Sequence, residues 1–264
     1  MQLEDLADQS YELLKAVLFG VEVPEEREPT YNNFRRSCIL SQAKSILQIT
    51  EDILDLEDRK RTSSSPLLVR GLLENLFILG AAARNEKFMG QKVIYDFEMA
   101  AHYARATAKK TSSERMKEYL EDQASSHEEI AKNIRKEHQI NDKFKWSPVD
   151  CAQEADLLRQ YAIEYAHYST ATHGELFSLV FREQGWTTAH VIRTVAFVCL
   201  KSAEFLLSSI KTKERIDLAK QLINLFKELT EMERAGKMRE LYWDEMKGQQ
   251  PITRGKRSTR SQQN

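Results

Sequence analysis

The sequence predicts an all-α protein, a bundle of about eight to ten helices with no sheet. Helix breakers are scarce, since only 9 of the 264 residues are Gly and 5 are Pro, roughly half their usual share. Apolar residues recur every three or four positions through almost every segment, and the breakers fall between the segments. No stretch alternates as a strand does.

The first half of the chain is predicted to hold five helices. Pro66 marks the start of the third, because proline suits the first turn of a helix and the serines before it can cap free backbone donors. The segment Thr111–Glu114 resembles a capping box that opens the fifth. The predicted helices run over about residues 3–19, 31–58, 66–84, 91–109 and 112–138.

The second half is predicted to hold three long helices, over residues 150–173 and 188–210 and from residue 213 onward. The most apolar stretch, Val191–Ile210, contains three charged residues and is therefore predicted to be a buried core helix rather than a membrane span. The last helix is predicted to turn one apolar stripe inward, formed by Ile216, Ala219, Ile223, Phe226 and Leu229.

The charge distribution and the cysteine content limit which domain organisation and which partners can be expected. The 39 Lys and Arg balance 40 Asp and Glu, which excludes a strongly basic nucleic-acid binder that acts through its whole surface. A single bundle domain is predicted over residues 31–247, after an N-terminal helix and acidic loop (1–30) and before a disordered basic tail (248–264). The tail could contact nucleic acid, although a solvated end is favoured. Three unpaired cysteines and an acidic N-terminus unlike a signal peptide predict a cytoplasmic protein.

The third helix carries an unusual charged pair. Arg70 and Glu74 are one turn apart in the apolar segment "SPLLVRGLLENLFILGAA". Apolar residues lie on both sides of this helix, which predicts a position in the protein interior. A buried ion pair is costly unless further polar groups complete its hydrogen bonding. The sequence therefore predicts a polar partner for this pair on another helix.

The best candidate partner is a polar ladder in "RQYAIEYAHYSTATHGE", formed at intervals of four by Tyr165, Ser169 and His173. Neighbouring alanines would let a second helix approach this face closely. Gly174 is a typical helix stop and places His173 at a helix C-terminus. A neutral imidazole there could act as an acid or base near pH 7. We expect the ladder to pack beside Arg70 and Glu74.

These two elements resemble the bacterial domain of unknown function 5677 family. The family pattern has an R-x-x-x-E on an apolar helix, matched by Arg70 and Glu74, and a Y-x-x-x-S-x-x-x-H-G element about 90 residues later, matched by residues 165–174. The resemblance covers about residues 35–210. It implies a helical bundle from a bacterial or phage-related setting, with phage defence as one conceivable role. It supplies no activity.

Three functions remain open from the sequence. The first is a binding or interaction module whose ligand site comprises Arg70, Glu74, Tyr165, Ser169 and His173. The second is a nuclease-like enzyme that cleaves RNA phosphodiesters, with His173 as acid or base, Arg70 stabilising the developing anion and Glu74 orienting Arg70. The third is a purely structural buried network.

The sequence also leads to expectations about cofactors, metal ions and other partners. It predicts no cofactor and no metal site, because the one E-x-x-H pair, Glu164 and His167, is interpreted as a surface pair. Expected partners are a small ligand or a protein rather than a membrane. A homodimer is conceivable because apolar helices often pair across a two-fold axis.

Overall fold

The structure is a computed structural model that describes residues 2–21, 30–59, 64–140, 144–172 and 188–234. These ranges contain nine helices and no strand, which confirms the predicted fold class. The predicted acidic loop, the basic tail and His173 lie outside the described residues. The helices are α1 (Leu3–Phe19), α2 (Tyr31–Asp58), α3 (Ser65–Arg84), α4 (Phe88–Ala108), α5 (Glu114–His138), α6 (Pro148–Glu154), α7 (Leu158–Gln160, Tyr161–Tyr165 and Ala166–Thr172 in continuation), α8 (Thr188–Ser209) and α9 (Arg215–Arg234).

One hydrophobic core joins α1, α2, α3, α6, α7, α8 and α9. Helices α3 and α8 lie at its centre, with α1 packed on α8 and α9, and α2 packed on α3. The largest fully buried side chains include Tyr168, Phe77 and Phe88. The end of α1 is tied to the start of α9 by an isolated bridge between Val21 and Thr212. The N-terminal helix is thus an internal part of the core.

Helix α4 begins at Phe88, three residues before its predicted start, and two predicted caps at other helix starts are wrong. Thr30 caps α2 by accepting a hydrogen bond from the Asn33 backbone N–H at 3.3 Å. Ser64, expected to help cap α3, makes no side-chain cap bond. The capping box predicted for α5 is wrong, because Glu114 is the first helical residue rather than the third, and Ser113 caps the helix alone.

The predicted helix over residues 150–173 is divided between α6 and α7. At the end of α6, the Leu157 N–H donates to the Ala152 carbonyl at 2.7 Å and the Asp156 N–H to the Gln153 carbonyl at 3.0 Å. Asp156 adopts a left-handed conformation with φ 59°. This pattern is a Schellman motif, which ends a helix and usually places glycine where Asp156 stands.

The predicted inward stripe of α9 is wrong at Ile216 and Ile223 and confirmed at Leu229, while Ala219 and Phe226 are partly buried against the core. Ile216 and Ile223 are 73% and 54% exposed, whereas Leu222, Leu225, Leu229 and Met232 are buried. Helix α9 has two apolar stripes, and the stripe richer in leucine packs on the core. Leu229 belongs to both the predicted and the observed set.

Helix α3 is long and apolar enough to cross a membrane by length and composition, and it alone meets this test among the described residues. Core helices pass the same test, and 56% of its most apolar window is buried within the fold. Its close packing is visible at Gly80, where an added Cβ would lie 2.7 Å from both the Ala155 Cβ and the Phe205 ring.

Helices α4 and α5 form an antiparallel hairpin that packs mainly on itself. Its base is anchored by Phe88, which contacts the Trp146 ring, and by Tyr31, whose hydroxyl donates to the Glu86 carbonyl at 2.7 Å. Only two residues of α5 are buried, Ala124 and Ala131. Most of the hairpin surface is therefore open.

Candidate functional site

Three of the five predicted site residues meet where α3 contacts α7. The Tyr165 hydroxyl donates to Glu74 Oε1 at 2.7 Å, and Arg70 Nε donates to the same oxygen at 3.1 Å. The Arg70 guanidinium also lies over the Tyr165 ring, 5.5 Å from its centroid. One carboxylate oxygen thus organises both the phenol and the guanidinium.

The pKa shifts in this centre follow from burial and from these bonds. Burial raises the pKa of Tyr165, and the bond to Glu74 raises it further, so that the hydroxyl stays protonated and donates. Burial by itself lowers the pKa of Arg70, but bonding to Tyr165 and Glu74 outweighs burial and raises it. The centre therefore holds a fixed ion pair at physiological pH.

The environment of the pair differs from the predicted interior. Leu67, one turn before the pair on the same side of α3, is 42% exposed, and the side chains of Arg70 and Glu74 are partly exposed. No atom of the described residues would lie within 4 Å of a Cβ on Gly71. The expectation of a helix buried all round is wrong, because α3 turns one stripe toward solvent. The ion pair lies at the edge of the core.

The other two predicted residues are placed less fully. Ser169 follows Tyr165 by one turn on α7, is partly buried and has an interaction partner. His173 and Gly174 lie outside the described residues. The nuclease hypothesis, which needs His173, stays a prediction.

The middle of α7 is a π-turn over Tyr161–Tyr165. The Ala166 N–H donates to the Tyr161 carbonyl, five residues back, which widens the helix by one residue. As a result two consecutive polar side chains, Glu164 and Tyr165, both point into the protein. Tyr165 reaches Glu74, and Glu164 reaches a second charged cluster on α8.

Glu164 is the centre of this second cluster. Arg193 Nη1 donates to Glu164 Oε1, while its Nε and Nη2 donate to Glu233 Oε1 at 2.9 and 2.6 Å. His190 Nε2 lies 3.1 Å from Glu164 Oε2. The His190 ring stacks on the buried Tyr168 ring, with centroids 5.7 Å apart. Arg193 thus bridges a carboxylate of α7 and a carboxylate of α9.

The surface-pair interpretation is wrong for Glu164, whereas His167 is exposed as predicted. Glu164 is only 8% exposed and pairs with α8. The reason is the π-turn, which rotates Glu164 away from the orientation that a regular helix would give it. The His167 ring instead lies 5.9 Å from the His190 ring.

The charged cluster has a strong electrostatic effect on Glu164. Burial by itself raises the pKa of this carboxyl, but the contacts with His190 and Arg193 outweigh burial and lower the pKa to about 2. The same pairing raises the pKa of Arg193 against the opposing effect of burial. Both groups are therefore charged across the physiological range.

A cavity of about 240 Å³ opens beside this cluster. The charged Arg159, Arg193 and Glu233 lie on its wall, and its apolar part is formed by α8 and α9. The remaining lining residues are Gln160, Ile163, Glu164, Phe197, Phe226, Leu229 and Thr230. Within the described ranges, no group of three His, Cys, Asp or Glu residues is arranged to hold a metal ion.

Sequence reasoning missed His190, Arg193 and Glu233 as site residues. One signal was available, since Arg193 interrupts the most apolar stretch of the chain, as Arg70 interrupts α3. No spacing rule connects Glu164 to Glu233, because the two meet only through the packing of α7, α8 and α9.

The fold and the site define an all-α bundle with charged centres on either side of a π-turn. Residues 37–185 match a family model described as a family of unknown function, DUF5677, and the chain belongs to this family. The predicted family resemblance is thereby confirmed. The matched region contains Arg70, Glu74 and Tyr165 but not Arg193. No curated protein and no solved structure matches the chain.

Proposed function

We propose that this chain is a binding module and that a small ligand occupies the cavity beside the π-turn. The observation that supports this most is the wall of the cavity, which offers opposite charges around an apolar surface. Arg159 has no acidic partner among the described residues. Glu233 accepts from Arg193 through Oε1, which leaves Oε2 for another donor.

The lining residues indicate the chemistry of the ligand. A carboxylate or phosphate would pair with the planar donors of Arg159, and an ammonium or hydroxyl group would donate to Glu233 Oε2. An apolar part would pack on Phe197 and Phe226. Because 240 Å³ is below the usual range of roughly 300–1,000 Å³ for drug-sized ligands, we expect a small metabolite.

The predicted Arg70–Glu74–Tyr165 centre contributes by preorganising this cavity. Tyr165 fixes one side of the π-turn to α3, and Glu164 fixes the other side to α8. Gln160 and Ile163, which line the cavity from the same stretch of α7, are therefore held before a ligand arrives.

The experiment starts from the full chain. Native mass spectrometry, compared before and after denaturation, identifies molecules that copurify with the protein. Thermal shift measurements with small carboxylates, phosphates and amino-acid-like compounds then rank candidate ligands. A ligand at 100 times its Kd is expected to raise the unfolding free energy by about 2.7 kcal/mol.

Arg159→Ala is the decisive variant, because it removes the anion partner without breaking an ion pair among the described residues. It should abolish the ligand-induced shift while leaving the stability of the free protein almost unchanged. Arg215→Ala is the matched control, since Arg215 is an exposed helical arginine outside the cavity. If Arg159→Ala retains the full shift, the ligand does not bind through Arg159 and the proposed site in this cavity is wrong.

A further inference from the structure

We propose that the groove between α4 and α5 binds single-stranded nucleic acid. This inference is independent of the ligand cavity, because the hairpin packs mainly on itself and shares no lining residue with that cavity. Three observations support it: the size of the groove, the lysines along it and the aromatic side chains that lie between them.

The groove is made of two adjoining cavities of about 830 and 400 Å³. The two share Glu98, His102 and Glu128, so that they form one continuous depression along the hairpin. From Tyr95 to Lys109 the groove follows α4 for about 21 Å at 1.5 Å per residue. This length suits about four nucleotides, the lower end of known single-strand sites.

The acidic residues of the groove are neutralised by arginines. Arg105 pairs with Glu128, with its Nη2 donating to Oε2 at 2.7 Å, and Arg135 Nη2 donates to Glu98 Oε1 at 2.8 Å. The bond from Arg105 lowers the pKa of Glu128, so that this pair stays ionised. These two ion pairs contribute no net charge to the groove, and Arg105 Nε also lies 3.6 Å from Oε2 of Glu121, which does not line it.

Four lysines of the groove remain without an acidic partner in the part of the chain that the structure describes. They come from the end of α4, from α5 and from the segment after α5, and are Lys109, Lys110, Lys132 and Lys145. A chain with a net charge of -1 thus gathers an uncompensated positive surface in one place. Such a surface is complementary to a polyanion.

Aromatic side chains favour a nucleic acid over an acidic polypeptide. Tyr95 and Phe144 line the larger cavity together with Lys132 and Lys145, and the Phe144 ring is stacked with the Trp146 ring at 6.2 Å. Bases stack on such rings regardless of sequence, while the phosphates follow the lysines. An acidic peptide would use the lysines but would gain little from the rings.

The test is fluorescence anisotropy of the full chain with labelled 12-nucleotide oligouridylate and oligothymidylate. Because the bound phosphates release counterions at about 0.7 per contact, three contacts would weaken binding about 100-fold between 20 and 200 mM NaCl. The double variant Lys109→Glu/Lys132→Glu should weaken binding about tenfold or more and flatten the salt dependence. Tyr95→Ala should weaken it about fivefold or more.

Matched controls separate this groove from nonspecific charge effects. Lys44→Glu/Lys227→Glu makes the same change in net charge at two exposed lysines outside the groove, and Tyr119→Ala removes an exposed tyrosine of the same hairpin that does not line it. Both controls should change affinity less than about twofold if only groove residues contact phosphates and bases.

Four outcomes would overturn the proposal. They are no binding at 20 mM NaCl, equal weakening by the two lysine pairs, tighter binding of a 12-base-pair duplex than of the single strand, and competition by polyglutamate as strong as that by unlabelled oligouridylate. Equal weakening would indicate charge alone, and polyglutamate competition would indicate an acidic protein partner.

Discussion

Glu74 and Glu164 are held in different ways although one π-turn links them. Glu74 accepts from Arg70 and Tyr165 through Oε1, and its side chain is 36% exposed, whereas both oxygens of Glu164 contact side chains of α8. A partly exposed carboxylate can still exchange partners. A carboxylate that is fully engaged and nearly buried acts mainly as a fixed charge.

Tyr165→Phe tests the contribution of the hydroxyl that joins α7 to α3. Removing it takes one charge-assisted donor from Glu74, so the free energy of unfolding should fall by about 1 to 2 kcal/mol in urea titrations. Tyr161→Phe is the control, because the Tyr161 ring stacks on Tyr165 but its hydroxyl has no partner among the described residues. Equal losses in both variants would contradict a specific role of the bond.

The low pKa of Glu164 predicts a pH dependence of stability. Its pKa is about 2 in the folded protein and about 4.3 in an unfolded chain, so its contribution is complete above about pH 5. That contribution is lost as pH falls toward 2, and it amounts to about 3 kcal/mol. Glu164→Gln should be less stable than wild type at pH 7, with a difference that shrinks at low pH.

Urea titrations at several pH values between 7 and 3 measure this effect. Glu204→Gln is the control, since Glu204 pairs with Lys201 on the more exposed side of α8 and should matter little. A constant difference between wild type and Glu164→Gln at all pH values would contradict the assignment.

The contact of Arg70 and Glu74 with Tyr165 could be predicted, because the charged pair stands out on an apolar helix and Tyr165 belongs to a polar ladder beside small residues. The partners of Glu164 could not be predicted, since the helical spacing rule assumes bonds to the fourth residue back. At the π-turn the bond reaches the fifth residue, to Tyr161. A single extra residue therefore places Glu164, predicted to lie at the surface, in a buried ion pair with Arg193.

At the scale of helices, the 3.6-residue period gave the fold class and the bounds of α1 and α2, but it did not give every end or face. The end of α6 was missed because Asp156, rather than glycine, adopts the left-handed conformation. The buried face of α9 was missed because that helix has two apolar stripes. In both cases tertiary packing selects among local options that the sequence leaves nearly equal.

Two glycines of α3 should respond in opposite directions to substitution by alanine. At Gly80 a new Cβ would press on Ala155 and the Phe205 ring, so Gly80→Ala should destabilise by about 1 to 3 kcal/mol. At Gly71 the space is open, so Gly71→Ala should stabilise by about 0.5 to 1 kcal/mol. Urea titration of both variants measures the two effects, and loss of stability in both would contradict the described packing.

The α4–α5 hairpin should open more readily than the central helices. Helix α5 buries two alanines, whereas α8 buries fourteen residues, and local opening costs less where few apolar contacts break. Amide hydrogen exchange read by mass spectrometry should therefore show faster exchange in α5 than in α8. Equal protection would indicate that the hairpin and the core unfold together.

At the scale of the whole molecule, the residues matched by the family model and the helices that form the hydrophobic core do not coincide. The match ends before α8 and begins after α1. Yet α8 packs on α1, α2 and α3, and α9 covers α1 and α8. The matched region therefore lacks helices that complete its own core.

A fragment of residues 37–185 is predicted not to fold cooperatively. Without α8 it would leave uncovered the face of α3 that packs on that helix, including Gly80 where it contacts the Phe205 ring. We expect such a fragment to bind a hydrophobic dye and to unfold without a sharp transition, unlike the full chain. A cooperative melt of the fragment would show that α1, α8 and α9 are accessory.

The pairing of α1 with α8 also bears on synthesis in the cell. The leucines of α1 contact a helix that follows after roughly 170 residues, which at translation rates of 5–20 residues per second means a delay of about 10 to 30 s. During that delay the apolar face of α1 is exposed on the nascent chain, because its native partner α8 has not been synthesised. Chaperone capture on the ribosome is the step at which the yield of this protein should be decided.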